Sequence, residues 1–262
     1  MAHTDSSFTG NFGTFSVYKM YGTDKTVVRR KGGAPLEKMK SLASLQPQRN
    51  QQSQFAGSSS TAKMVGYALD SVKHLADFPL HGHLLKLNSA LLNMDTTNAK
   101  GKRSIIFSRG LHLFEGLSLN RKVLFDSVIT TSIGYSCSRD GHSATIHLPA
   151  LSPGFNFNNP WNQQFYRLRM NLGIVRDMVF IDGRGYQPVT PDITDHTIGF
   201  DTEWRAVKTP ANAESILLKL DEPVFDEHCH LLLSIGIEFG AQSGATIEHV
   251  KRQGCGKILT MV

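Results

Sequence analysis

Two runs in the second half of the chain alternate apolar and polar residues over strand-length stretches. In the first, Tyr166, Leu168, Met170, Leu172 and Ile174 alternate with Arg167, Arg169 and Asn171. In the second, Leu231, Leu233, Ile235, Ile237 and Phe239 alternate with Leu232, Ser234, Gly236 and Glu238. Successive side chains of a strand point to opposite faces, so each run has one apolar face to bury. Shorter β-type runs, KVLFDSVI, ATIHL, MVFID, IGFDTEW, SILLKL and KILTMV, are separated by turn signals such as Arg139-Asp140-Gly141 and Asp182-Gly183. Many strands without long helical patterns between them predict an antiparallel β-sandwich domain over residues 111–262.

The N-terminal part, residues 1–110, reads as a basic arm of a hairpin plus two helices, so the fold class expected is mainly β with an N-terminal α+β part. In GTFSVYKMYGTDKTVVRRKGG, Phe15 and Val17 alternate with Ser16 and Tyr18, Gly22-Thr23-Asp24 supplies a turn, and Thr26-Val27-Val28 is β-branched. A two-stranded hairpin is marginal alone in water, so this one must pack on its own chain or on a neighbour. The following QPQRNQQSQ and GSSST runs are nearly free of hydrophobic residues between Pro47 and Thr61, which fits a linker or an exposed helix start. Met64, Val65, Ala68, Leu69, Val72 and Leu75 then share a helical face, with Ser60 or Thr61 available as N-cap, and a leucine-rich helix is expected from about His83 to Met94.

A chain of 262 residues can bury a substantial core without disulfides or metals, and no cofactor is called for. Three cysteines, Cys137, Cys229 and Cys255, are widely spaced without a CxxC and read as reduced packing residues. No run approaches the roughly 18 apolar residues of a membrane-spanning helix, and MAHTDSSFTG lacks the features of a signal peptide. The expected setting is cytoplasmic or within an assembled particle, with no membrane partner. The net charge of +6 is unevenly placed: residues 1–110 carry 15 Lys and Arg against 6 Asp and Glu, and residues 111–262 carry 13 against 16. Such a split suits a polyanion partner, or a self-associating protein whose basic front meets the acidic back of another copy.

The hairpin, QRNQQSQFAGSSSTAKMVGYAL, GLSLNRKVLFDSV, ATIHLPALSP and LLLSIGIEF occur in an order that resembles a group of uncharacterised bacterial proteins of Bacteroidetes type. That family pairs an N-terminal glycine-anchored hairpin ending in arginine with a C-terminal strand of Leu-Gly-Ile-Glu-Phe type, matched here by Ser234-Ile235-Gly236-Ile237-Glu238-Phe239. The resemblance implies the same order of arm and β domain, and it carries no activity or catalytic residues.

Candidate chemistry is sparse. His228 and His230, two apart on a strand, present two imidazoles to one face and are weak candidates for a metal, with a third ligand from His81, His83 or Asp226; the plainer reading is polar residues on an outer sheet face. GYSCSRDGHS holds serine, cysteine, aspartate and histidine, but it lacks a nucleophile elbow and reads as a hairpin. No phosphate-binding glycine loop occurs. The residues singled out for interaction are Tyr18, Lys19, Arg29, Arg30 and Lys31, which can serve docking to protein or, alternatively, phosphate contacts with base stacking. The leading expectation is a non-enzymatic structural protein that self-assembles into a ring, tube or other large, phage-like particle through its arm and sheet edges. A nucleic-acid-binding accessory protein and a metal-dependent or carbohydrate-binding sandwich are the alternatives.

Overall fold

The computed structural model describes residues 2–4, 8–20, 24–190, 197–221 and 225–262. Within it the chain divides into two compact units, residues 1–49 and 50–262. The first unit contains β1 (Ala2–Thr4), β2 (Gly10–Phe12), β3 (Phe15–Lys19), β4 (Thr26–Arg30) and α1 (Leu36–Ser41). The strands form one antiparallel sheet in the order β1-β4-β3-β2. The expected hairpin is β3–β4, paired from Phe15↔Arg30 to Lys19↔Thr26 and closed by the Met20 amide donating to the Lys25 carbonyl at 2.9 Å. Its turn residues Gly22 and Thr23 lie outside the described residues. The hairpin gains strands on both sides, which supplies the support that a two-stranded ribbon lacks. The carbonyls of Met39 and Leu42, at the end of α1, accept from Arg49 Nη1 at 2.7 and 2.9 Å, a cation placed where a helix C-terminus favours one.

The second unit contains most of α2 (Gln46–Tyr67), then α3 (Leu80–Met94), the short α4 (Phe125–Val128), and the strands β5 (Gly134–Ser138), β6 (Ser143–Leu148), β7 (Phe165–Arg176), β8 (Met178–Ile181), β9 (Gly185–Pro188), β10 (Thr197–Asp201), β11 (Arg205–Ala206), β12 (Glu214–Lys219), β13 (Cys229–Ser243) and β14 (Thr246–Met261). The glutamine and serine runs are therefore helix, not linker. Gln and Arg are good helix formers, and Pro47 sits in the first turn, where a missing N–H costs no helical bond. Ser60 and Thr61 lie inside α2, not at its start, and Thr61 Oγ1 donates back to the Gly57 carbonyl.

The two alternating runs are β7 and β13, paired antiparallel from Cys229↔Arg176 to Gly240↔Phe165. They form the centre of a five-stranded sheet ordered β10-β7-β13-β14, with β11 beside β10 on the same edge of β7. A three-stranded antiparallel sheet, β12-β6-β5, faces it. The inward side chains of both sheets (Leu168, Met170, Leu172, Leu233, Ile235 and Ile237 against Ala144, Ile146, Leu148, Ile216 and Leu218) make one buried core, the expected sandwich. On the other face of the large sheet, Val65, Leu69, Val72, Leu75, Leu84 and Leu91 make a second core with Phe107, Phe114, Leu232 and Ile258. This second core explains why the compact units divide at residues 49/50 while the sequence reading places a boundary near 110: the helical segment buries its apolar side in the β unit.

Close approach of helix to sheet rests on small residues. A Cβ built on Gly173 of β7 would stand 2.5 Å from the Ala68 carbonyl oxygen, and one on Gly236 of β13 would stand 2.4 Å from Leu75 Cδ1. Between them Asn171 Nδ2 donates to the Ala68 carbonyl at 2.5 Å, giving a partner to a carbonyl at the helix end. Among the described residues, no helix is long and apolar enough to cross a membrane.

Candidate functional site

Beyond the stretch covered by Ala68 and Leu75, the polar face of β7 and β13 carries charges. Glu238 of β13 stands opposite Arg167 of β7, and Asp201 of β10 stands opposite Arg169. The Glu238 side chain is 1% exposed, so its charge needs partners. Arg167 Nε donates to Oε1. Oε2 faces His74 Nε2 at 3.0 Å, His249 Nδ1 at 3.3 Å and Arg169 Nη1 at 3.5 Å. Arg169 is itself fixed by Asp201, through Nε to Oδ1 and Nη2 to Oδ2, both at 2.8 Å. The Arg167 guanidinium lies 4.7 Å from the Trp204 ring centre, a cation–π contact that orients it.

Three separate parts of the second unit build this cluster. His74 sits in the single turn Lys73–Leu75 that follows α2, Glu238 in β13, and His249 in β14 across from Gly240. A register shift between Glu238 and Gly240 precedes the Gly240↔His249 pair, so the bulge places this imidazole beside the carboxylate. The two imidazoles meet edge to face at 5.6 Å. Burial alone would raise the Glu238 carboxyl, but the hydrogen bonds from His74 and Arg167 and the charges of Arg167 and Arg169 outweigh it and hold it at about 2. His249 is lowered by burial first and by the nearby cations, against the pull of Glu238. It is thereby favoured as the neutral imidazole that can donate a lone pair. Its Nδ1 is buried and lacks the alignment of a hydrogen bond to any described residue.

His230 lies in β13, but His228 falls in the turn before it and not on the strand, and both imidazoles turn to Asp177. His228 Nδ1 is 3.2 Å from Asp177 Oδ2, His230 Nε2 is 3.2 Å from Oδ1, and the Phe107 amide donates to Oδ1 at 2.8 Å. His230 and Asp177 are buried, so this is an interior junction between β7, β13 and the segment before Phe107, not an outer sheet surface. His81 does not join them, its Nε2 lying 3.3 Å from Ser59 Oγ, and Asp226 meets His228 only through the backbone, its Oδ1 accepting from the His228 amide at 2.9 Å while Oδ2 accepts from the Thr190 hydroxyl. His83 packs against the Phe78 ring. GYSCSRDGHS is the β5–β6 hairpin, with Ser138 Oγ accepting from the Gly141 amide and burial raising the Cys137 thiol to about 11. All three cysteines are free.

In the first unit the interaction residues fall on the hairpin as expected. Arg29 and Arg30 pair with Ser16 and Phe15, so neighbouring guanidiniums point to opposite faces. Arg29 lies 5.3 Å from the Tyr18 ring centre. Arg29, Arg30 and Lys31 line a cleft of about 550 Å³ with Asn11, Ser16 and Gly32. Lys19 is exposed at the end of β3. Large apolar side chains are exposed beside these cations: Phe8 is 55%, Phe12 48% and Phe15 49% accessible, with Tyr18 and Met20 near 40%.

The cluster around Glu238 was missed by sequence reasoning because its members are distant in the chain. Its one legible trace is the parity of β7 and β13, which puts Arg167, Arg169 and Glu238 on polar faces. No protein-family model, no curated protein and no solved structure matches the chain.

Proposed function

We propose that the protein is a non-enzymatic structural protein that assembles with copies of itself through the unit of residues 1–49, building a ring, tube or other large, phage-like particle. The observation that carries this reading is the exposure of Phe12 and Phe15 beside Arg30 on one face of the sheet and of Tyr18 beside Arg29 on the other, with Phe8 and Met20 exposed as well. Apolar area of that kind beside cations suits an interface with an apolar centre and a charged rim. A second copy is the fitting partner by charge: residues 1–49 carry eight Lys and Arg against three Asp and Glu, the second unit as a whole carries 20 against 19, and its acidic excess lies in residues 111–262, with 13 against 16. A basic surface meeting an acidic one is a heterologous contact, which closes into a ring or continues as a tube or filament. Strand addition at an open sheet edge would supply main-chain bonds to such a contact.

Light scattering of the full chain across a concentration series, with negative-stain microscopy of the same samples, tests this. Regular species much larger than the 29.0 kDa chain are expected, and they should dissociate in Phe12→Ser/Phe15→Ser and in Arg29→Glu/Arg30→Glu. A monomer at every concentration in low salt overturns it. The second reading is nucleic-acid binding, favoured by the cationic cleft under Arg29, Arg30 and Lys31. It requires salt-dependent binding of unrelated DNA or RNA that the Arg29→Glu/Arg30→Glu variant loses.

A further inference from the structure

We propose that His74, Glu238 and His249 form a binding site for a divalent transition-metal ion, with zinc the best fit. The three ligand atoms, His74 Nε2, Glu238 Oε2 and His249 Nδ1, all lie within 4.8 Å of one another. Two imidazoles and one carboxylate form a donor set that zinc accepts, with bonds of roughly 2.0–2.2 Å and a fourth position left for water. Contraction onto an ion needs only small side-chain movements, because the ligand pairs to Oε2 already stand at 3.0 and 3.3 Å.

Four features distinguish this arrangement from a chance meeting of polar groups. The ligands come from three elements that the β13–β14 pairing and the Lys73–Leu75 turn hold in place, so the site is built by the fold. The carboxylate is oriented by Arg167 on the oxygen that faces away from the imidazoles, leaving Oε2 to the metal, as outer partners orient ligands in metal centres. Buried His249 Nδ1 points at Oε2 without a hydrogen bond, and a metal would use that lone pair. His74 and His249 are 36% and 28% exposed, which gives an ion a way in and gives water the open position.

Arg169 is the competing charge, with Nη1 3.4 Å from His74 Nε2 and 3.5 Å from Oε2. Its other two nitrogens are already paired with Asp201, so it can turn Nη1 away without losing its main anchor. The two carboxylates, Glu238 and Asp201, balance the two guanidiniums, and the ion's charge is shared with water or an anion in the fourth position. The ion would brace the turn after α2 to the β13–β14 hairpin. This inference is independent of how residues 1–49 are used.

The test is titration of the purified, chelator-stripped full chain with zinc chloride against a metal-sensitive dye, and with cobalt chloride by visible absorption. One equivalent is expected, with the intense absorption of a four-coordinate cobalt site. His74→Ala and His249→Ala should each weaken binding by more than about 100-fold, beyond the 10–100-fold typical of residues that only orient ligands. His74 is partly exposed on a turn, so His74→Ala should keep the parent circular-dichroism spectrum and report on binding alone. His228→Ala removes a histidine of the Asp177 junction and should leave the titration unchanged. No stoichiometric binding to the parent, or binding unaffected by His74→Ala and His249→Ala, overturns the proposal; loss of binding in His228→Ala with retention in His74→Ala would assign the metal elsewhere.

Discussion

Glu238→Gln changes one atom in a buried charge cluster, and its effect should depend on pH in a way the structure fixes. The carboxyl is held at about 2 against an ordinary 4.5. A depressed acid adds stability that is fully present above its unfolded value and is lost as pH falls towards its folded value. At about 1.4 kcal/mol for each tenfold step, the difference corresponds to roughly 3 kcal/mol at pH 7, most of it disappearing between about pH 5 and pH 2. Glutamine fills the same space but resembles the protonated acid, and its amide adds donors beside Arg167 and Arg169. Urea unfolding of metal-free protein at pH 7, 5, 4 and 3 reads the effect. The variant should be less stable by about 3 kcal/mol at pH 7, and the gap should narrow to roughly 1 kcal/mol at pH 3. Asp95 is a built-in control. Burial would raise it, but hydrogen bonds from Asn98, Ser104 and Thr97 hold it well below the usual carboxylate range, so acid lability from Asp95 persists in both proteins. Stability curves that run parallel from pH 7 to pH 3 would refute the reasoning, because they would mean that Glu238 does not titrate with folding.

Gly173→Ala should destabilise by about 1–3 kcal/mol in the same urea assay, since the new Cβ meets helix backbone at Ala68, whereas Gly236→Ala meets the movable end of Leu75 and should cost less; equal costs would refute the close-approach argument. Asp177→Asn should lose about 2–4 kcal/mol of unfolding free energy, because one charged acceptor serves His228, His230 and the Phe107 amide; a loss under about 0.5 kcal/mol would show the junction to be incidental. Thiol titration with a disulfide reagent at pH 8 should label Cys137 about 100-fold more slowly in native than in urea-unfolded protein, as expected for a thiol at about 11 against an ordinary 9.0. Equal labelling rates would contradict its burial.

Strand existence was readable wherever one face of a strand is apolar and the other polar. Leu168, Met170 and Leu172 declare their direction by alternation alone, and the sandwich follows from it. The start of α2 was not readable in that way: between Pro47 and Thr61 the helix has few apolar residues to show a period of 3.6, and its helicity rests on backbone propensity and on contacts made farther along. Glu238 illustrates a different limit. Parity gives its face, but its partners depend on which strand lies beside β13, on a bulge before Gly240 and on a turn at residues 73–75, none of which leaves a local pattern. His228 and His230 were read as two positions of one strand, but His228 lies in the turn before β13, and what joins the two imidazoles is an aspartate some fifty positions earlier. Contacts at such separations are products of topology, which one sequence reveals only through register.

The glycines under Ala68 and the Lys73–Leu75 turn make the two faces of the large sheet unequal in the changes they can absorb. On the sandwich side, Leu, Ile and Met interlock through side chains whose volumes can be exchanged, so a larger residue at one position can be offset by a smaller one opposite. At Gly173 the neighbour is the Ala68 backbone, which offers nothing to trim in return. Sequence drift in this molecule should therefore be free to reshuffle one side of the sheet while the other side stays fixed at the spacing of a bare main chain.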